Sequence, residues 1–101
     1  MVRWTTKAEG DLLEIQEHIA RNFNSELAIR LVGELVDRIE RILDANPLAG
    51  AILPQNPLFS KIVIDGNAFY YCEHPQTRDV VVIYVQARHS EADPSRFVGP
   101  R

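Results

Sequence analysis

Few side chains in this chain are of types that could do chemistry, and most of them fall in its second half: Lys61, Tyr84, Arg88 and His89. His89 could act as a general base or hold a phosphate. Lys61 and Arg88 are cations at strand positions, and Tyr84 carries a hydroxyl. Each also has an ordinary reading. The two cations serve equally as solvated strand residues, Tyr84 as a packing residue with its hydroxyl at the rim, and His89 as a structural hydrogen-bonder. His18 and His74 have weaker claims. Cys72, the single cysteine, has no partner and no local basic cluster, so it reads as a small apolar filler. No metal-ligand spacing, glycine-rich phosphate loop or Ser-His-Asp signature occurs, and no metal or cofactor is expected.

These residues depend on a sheet and a helical layer to position them. Val2 to Thr5 is a short extended opening. Thr6-Lys7-Ala8-Glu9 fits a capping box, and Ala8, Leu12, Ile15 and Ile19 form one helical stripe behind it. Ser25 is a suitable N-cap for a second helix. Its apolar face runs through Leu27, Ala28, Leu31, Val32, Leu35, Val36, Ile39, Ile42 and Leu43, and Asn46-Pro47 ends it. Residues 47–58, with Pro47, Gly50, Pro54 and Pro57, read as a loop. Three strands follow at Phe59–Ile64, Asn67–Glu73 and Val80–Ala87, with Asp65-Gly66 as a hairpin turn. The order β-α-α-β-β-β predicts an α+β fold, an antiparallel sheet with a helical hairpin on one face. Alternation assigns Val81, Ile83, Val85 and Ala87 to the core and Val82, Tyr84, Gln86 and Arg88 to the open face. Ile62 and Ile64 point inward, so Lys61 points outward. The faces of the middle strand are left open, because both of its sets are mixed. Residues 90–101 read as a tail.

Composition limits the functions available. One domain of 101 residues with 46% hydrophobic residues can bury roughly 60–68% of its unfolded surface and needs no disulfide staple. The net charge is −3. Residues 1–50 hold six basic and nine acidic side chains, and residues 51–101 hold five of each. A chain whose main partner is a nucleic-acid backbone carries a basic excess, which this one lacks. No apolar run approaches the roughly 20 residues of a membrane span. Met1-Val2-Arg3-Trp4-Thr5 lacks the apolar core of a signal peptide, so a soluble cytoplasmic protein is expected. From the residues alone, the reading is an α+β domain with an interaction surface.

The ordered pattern resembles the ParE branch of the RelE/ParE toxin superfamily over residues 2 to about 93. It is carried by Trp4-Thr5 before a helix with Ala8, Asp11, Leu12 and Ile15, by the long second helix, and by Asn46-Pro47 with Gly50. Phe69-Tyr70-Tyr71 and the strand Val80–Val85 running into His89 complete it. The resemblance implies the toxin of a type II toxin–antitoxin system. Its partner would be a cognate ParD-like antitoxin that folds onto it, giving a hetero-oligomer. ParE-like members are similar to inhibitors of DNA gyrase, whereas RelE-like members are ribosome-dependent mRNA endonucleases. Metal-free RNA cleavage needs a base, a cation for the transition-state phosphate and an acid. RelE-like enzymes supply these from a Lys/Arg cluster, often with an Arg on the middle strand and a Tyr near the C-terminus. Here the middle strand opens with Asn67-Ala68-Phe69, and Ser90 follows His89. The resemblance therefore favours gyrase inhibition by protein binding, with Lys61, Tyr84, Arg88, His89 and Arg96 as target contacts and no catalytic group. The alternatives are a RelE-like nuclease, with His89 as acid or base and Lys61 and Arg88 on the phosphate, and a toxin fold without toxicity.

Overall fold

The computed structural model describes residues 1–88. The chain opens with a strand, β1 (Val2–Trp4), that stops where Thr5 begins to cap a helix. The Thr5 side chain accepts from the Ala8 N–H at 3.1 Å, and its carbonyl accepts from the Glu9 N–H at 3.0 Å. The cap is thus Thr5, one residue before the expected Thr6, and α1 spans Thr6–Asn22. The next helix likewise starts a residue early. Asn24, not Ser25, is the N-cap, with its side chain accepting from the Leu27 N–H at 2.7 Å. Helix α2 runs from Ser25 to Ala45 and ends at Asn46, ahead of Pro47 as expected. Only Phe23 and Asn24 separate the helices, which pack together as a hairpin.

Four strands complete the fold: β2 (Ala51–Leu53), β3 (Asn56–Ile64), β4 (Asn67–Glu73) and β5 (Val80–Gln86). The sheet order is β1-β5-β4-β3-β2. Every pairing is antiparallel except β1 with β5, which is parallel. The α+β class and the β-α-α-β-β-β order hold, with one strand added. The supposed loop over residues 47–58 contains β2 and the start of β3. The register jumps from Ile52↔Ser60 to Leu53↔Asn56, so Pro57, Leu58 and Phe59 bulge out of β3. A proline has no N–H to give a ladder, so Pro57 is suited to such a bulge.

The hairpin packs against β5 and β1. Phe69 and Val82 of the sheet and Ile39 and Leu43 of α2 are fully buried between the two layers. Trp4 meets the Phe69 ring edge-on at 6.2 Å and donates its indole N–H to Glu40 at 2.8 Å, joining β1 to α2. Phe69 and Tyr71 face the helices, which leaves Tyr70 and Cys72 on the other side of β4. Tyr71 donates its hydroxyl to the Pro47 carbonyl at 3.0 Å and accepts from the Gly50 N–H at 2.8 Å. A Cβ at Gly50 would lie 2.6 Å from that hydroxyl and 2.7 Å from the Lys61 carbonyl, so only glycine allows this approach.

The faces of β5 differ from simple alternation. Tyr70 pairs with Tyr84 but Tyr71 pairs with Val82, leaving Ile83 as an extra residue in a β-bulge. Before the bulge Val80 and Val82 point inward, and after it Val85 does. The inward assignment of Val81 and outward assignment of Val82 are therefore corrected, while Val85, Tyr84 and Gln86 lie as expected.

Helix α1 supplies what the bulge needs. Beyond Trp4, β5 has no strand on its outer side. The Thr5 N–H donates to the Val82 carbonyl at 3.1 Å, and the Thr5 hydroxyl donates to the Ile83 carbonyl at 2.5 Å. Asp11, 7% exposed, accepts from the Val85 N–H at 2.8 Å and pairs with Lys7. Losing this carboxylate strands a buried N–H, and bonds to charged acceptors contribute about 1.5–3 kcal/mol. Asp11→Ala should therefore destabilise the chain by about 2–3 kcal/mol in urea unfolding. Asp11→Asn, which keeps an acceptor oxygen, should lose less. Equal losses in both variants would mean that the charge and not the N–H contact matters.

Candidate functional site

Two surfaces gather polar and aromatic side chains, one on each side of the sheet. The first is the open face. Lys61 pairs with Tyr70 across β3 and β4, and Tyr70 pairs with Tyr84 across β4 and β5, so the three stand in a row. The tyrosine rings stack at 4.3 Å with 13° between their planes, and the Lys61 ammonium lies 6.0 Å from the Tyr70 ring centre. The Tyr70 hydroxyl donates to the Gln86 side-chain oxygen at 3.2 Å. Burial, reinforced by Tyr70 and by the more remote Asp11 charge, pushes the Tyr84 hydroxyl up to about 12. It is therefore a neutral hydrogen-bonding group at physiological pH and not a base. Cys72 is on the same face, and burial pushes its thiol up, which disfavours the reactive thiolate.

The second surface is a groove of about 550 Å³ between the helices and the β3–β4 turn. Ile15, Ile19, Phe23 and Leu31 give it apolar walls, and Glu34, Arg38, Asp65 and Arg88 add charge. Phe23 in the helix connection is 71% and Leu31 on α2 39% exposed, so the groove presents large apolar side chains to solvent. Asp65 at φ 53° and Gly66 at φ 83° form the tight turn foreseen from the sequence. Arg38 donates to the Asp65 carboxylate at 2.8 Å across the groove's edge, tying α2 to that turn.

The structure thus divides the expected site. Lys61, Tyr84 and Gln86 share the open face, as expected, together with Tyr70, whose face the sequence left unresolved. Arg88 does not join them. β5 ends at Gln86, so the alternation stops short of Arg88. Its N–H donates to the Asn67 side chain at 2.7 Å, and its own side chain lies over Gly66, where a Cβ would be 2.7 Å from Cδ. Arg88 is a groove residue. His89 and Arg96 lie outside the described residues, as does the segment 90–101 read as a tail. Sequence reasoning missed the groove. Its only signal was Phe23, an aromatic residue in the short connection between two helices.

Among the described residues, no cluster of His, Cys, Asp or Glu could hold a metal ion. No helix there is long and apolar enough to cross a membrane.

A family model described as the ParE toxin of the type II toxin–antitoxin system parDE matches residues 2–93. No curated protein matches the chain. Among solved structures, it is similar to a chain of the chromosomal ParDE toxin–antitoxin system from P. aeruginosa. That likeness has a TM-score of 0.72 at 19% identity and covers 84% of this chain and 91% of the other. It is also similar to a chain of the RelBE2 toxin–antitoxin complex from Mycobacterium tuberculosis, with a TM-score of 0.66 at 20% identity, covering 87% and 96%. At these identities the likenesses establish the fold.

The stacked tyrosines have a titration consequence. The folded chain holds the Tyr84 proton to about pH 12, whereas an unfolded tyrosine loses it near 10. Below pH 10 both states are protonated, so the linkage contributes constant stability there. Between about 10 and 12 only the unfolded state releases the proton, so stability should fall. Ultraviolet absorbance should show a late tyrosine ionisation, and Tyr84→Phe should remove that step and flatten the alkaline loss.

Proposed function

Because this chain belongs to the ParE toxin family of type II toxin–antitoxin systems, we propose that a cognate antitoxin holds it inactive from the helical groove and that its target is DNA gyrase, met by the open sheet face. The observation that carries the antitoxin reading is the groove itself, where exposed Phe23 and Leu31 flank an apolar trough edged by the Arg38–Asp65 pair. An amphipathic segment lays its apolar stripe into such a trough, and the charges at its edge set register. A disordered antitoxin tail would order on contact. Arg88, as a wall of the groove, belongs to this contact.

The gyrase contacts are then Lys61 and Tyr84 on the open face, with His89 and Arg96 as further contacts. The stacked tyrosines present a rigid aromatic body with polar tips, a residue type favoured at protein interfaces. Beside the stacked neutral rings this face offers Lys61, and its other described cation, Arg3 on β1, is paired with Asp79. That suits a protein target better than a phosphate backbone, which calls for several.

Induced expression in cells distinguishes the targets. DNA breaks and filamentation support gyrase, ribosome-dependent mRNA cuts support a nuclease, and unimpaired growth supports a fold without toxicity. Two variants then separate the faces. Leu31→Glu should weaken antitoxin binding by about tenfold or more, near 1.4 kcal/mol, and leave gyrase inhibition intact. Lys61→Ala should do the reverse. An unchanged antitoxin affinity in Leu31→Glu would remove the groove from the contact.

A further inference from the structure

A third surface takes no part in either contact. From Ala45 to Ser60 the chain has sixteen consecutive residues without a charge, in a protein where 25% of residues are charged. This stretch forms the far end of the sheet, away from the strands on which the helices pack. It displays Leu48 at 83%, Ile52 at 63% and Leu58 at 80% exposure. It also carries β2, the edge strand, whose outer side has no neighbour among the described residues. Proteins usually guard such an edge with charge, because unpaired N–H and C=O groups recruit another strand. β2 has no charge, and its protection is limited to its three-residue length and the following Pro54.

We propose that this uncharged end is a self-association surface, on which two copies of the chain pair β2 with β2 antiparallel about a two-fold axis at Ile52. Charge favours a second copy as the occupant. Every charged side chain lies outside residues 45–60, so this end meets its own image without a like-charge penalty, whereas charged stretches elsewhere set like charges against each other about a two-fold axis. Antiparallel pairing is also self-complementary: Ala51 opposes Leu53 of the other copy, and the two Ile52 side chains stand on one face. The pairing is isologous and uses the β2 edge of both copies, so this contact closes as a dimer. Sixteen residues are fewer than the roughly 20–30 per side of a standard interface, so the dimer is weak and forms at micromolar concentration or above.

The test is the mass of the full, refolded chain by sedimentation over a wide concentration range, with amide hydrogen exchange on the same samples. The expected result is a rise from 11.5 kDa to twice that mass with concentration, accompanied by slowed exchange at residues 51–53. Ile52→Lys should raise the dimer dissociation constant at least tenfold with circular dichroism unchanged. Leu58→Lys, at a more exposed site, repeats the measurement should Ile52→Lys fail to fold. A chain that stays monomeric throughout would overturn the proposal. So would a dimer indifferent to both lysines, or protection of residues 51–53 that appears only with antitoxin. None of these outcomes bears on toxicity, so the proposal stands or falls apart from the functional reading.

Discussion

The structure depends on how helix α1 holds the irregular stretch of β5. A parallel strand covers β5 only as far as Val82, opposite Trp4. Beyond it the strand bulges, and its outer N–H and C=O groups would be buried beneath the helix without partners. Thr5 and Asp11 supply those partners from the first turns of α1. Buried backbone groups almost always find one, and the cost of failure exceeds the net gain of an ordinary bond. The same residues fix the helix start, set its distance from the sheet and hold the bulge open. The bulge in turn sends Val82 and Val85 to the core and Tyr84 to the open face. Core packing and the aromatic row outside are thus two results of one local irregularity.

That arrangement gives the small chain two faces of different character. The groove is apolar, edged by charge, and framed by helices held by their packing, with the Arg38–Asp65 bond tying α2 to the β3–β4 turn. The open face is a stack of neutral rings beside Lys61, with Arg3 tied to Asp79 farther along it. A partner in the groove need not touch Lys61 or Tyr84, because the sheet lies between them. On the proposed assignment, neutralisation therefore works without covering the aromatic row, by bulk around the sheet's rim or by holding the chain away from its target.

Much of this was legible in the sequence, and the failures have physical causes. The helical stripes were clear because a 3.6-residue period sustained for several turns has few alternatives. Both N-caps were misplaced by one because Thr5-Thr6 and Asn24-Ser25 each set two competent capping residues side by side. β2 was hidden by its brevity and by prolines on both sides. Val80 to Val85 is a continuous apolar run, so nothing in it could reveal a bulge, and alternation extrapolated from Val81 came out inverted at Val82. Lys61 and Tyr84 were correctly joined because each follows regular alternation from a well-defined core residue. Arg88 was misplaced because the strand ended two residues before it. The groove draws on α1, α2, the β3–β4 turn and the end of β5, so no local pattern could contain it.

The parallel pairing of the first strand with the last has a consequence for biosynthesis. Val2 pairs with Val80, so nearly the whole chain must be made before the sheet can close. Contacts that distant in sequence form late, whereas those between α1 and α2 are local. At about 5–20 residues per second, seconds pass between completion of the two helices and completion of β5. The apolar walls of the groove belong to the part made first, and the Tyr70–Tyr84 stack to the part made last. On the ribosome, the helical walls of the groove thus precede the aromatic row, while the groove's rim, Asp65 and Arg88, is completed only with the last strands.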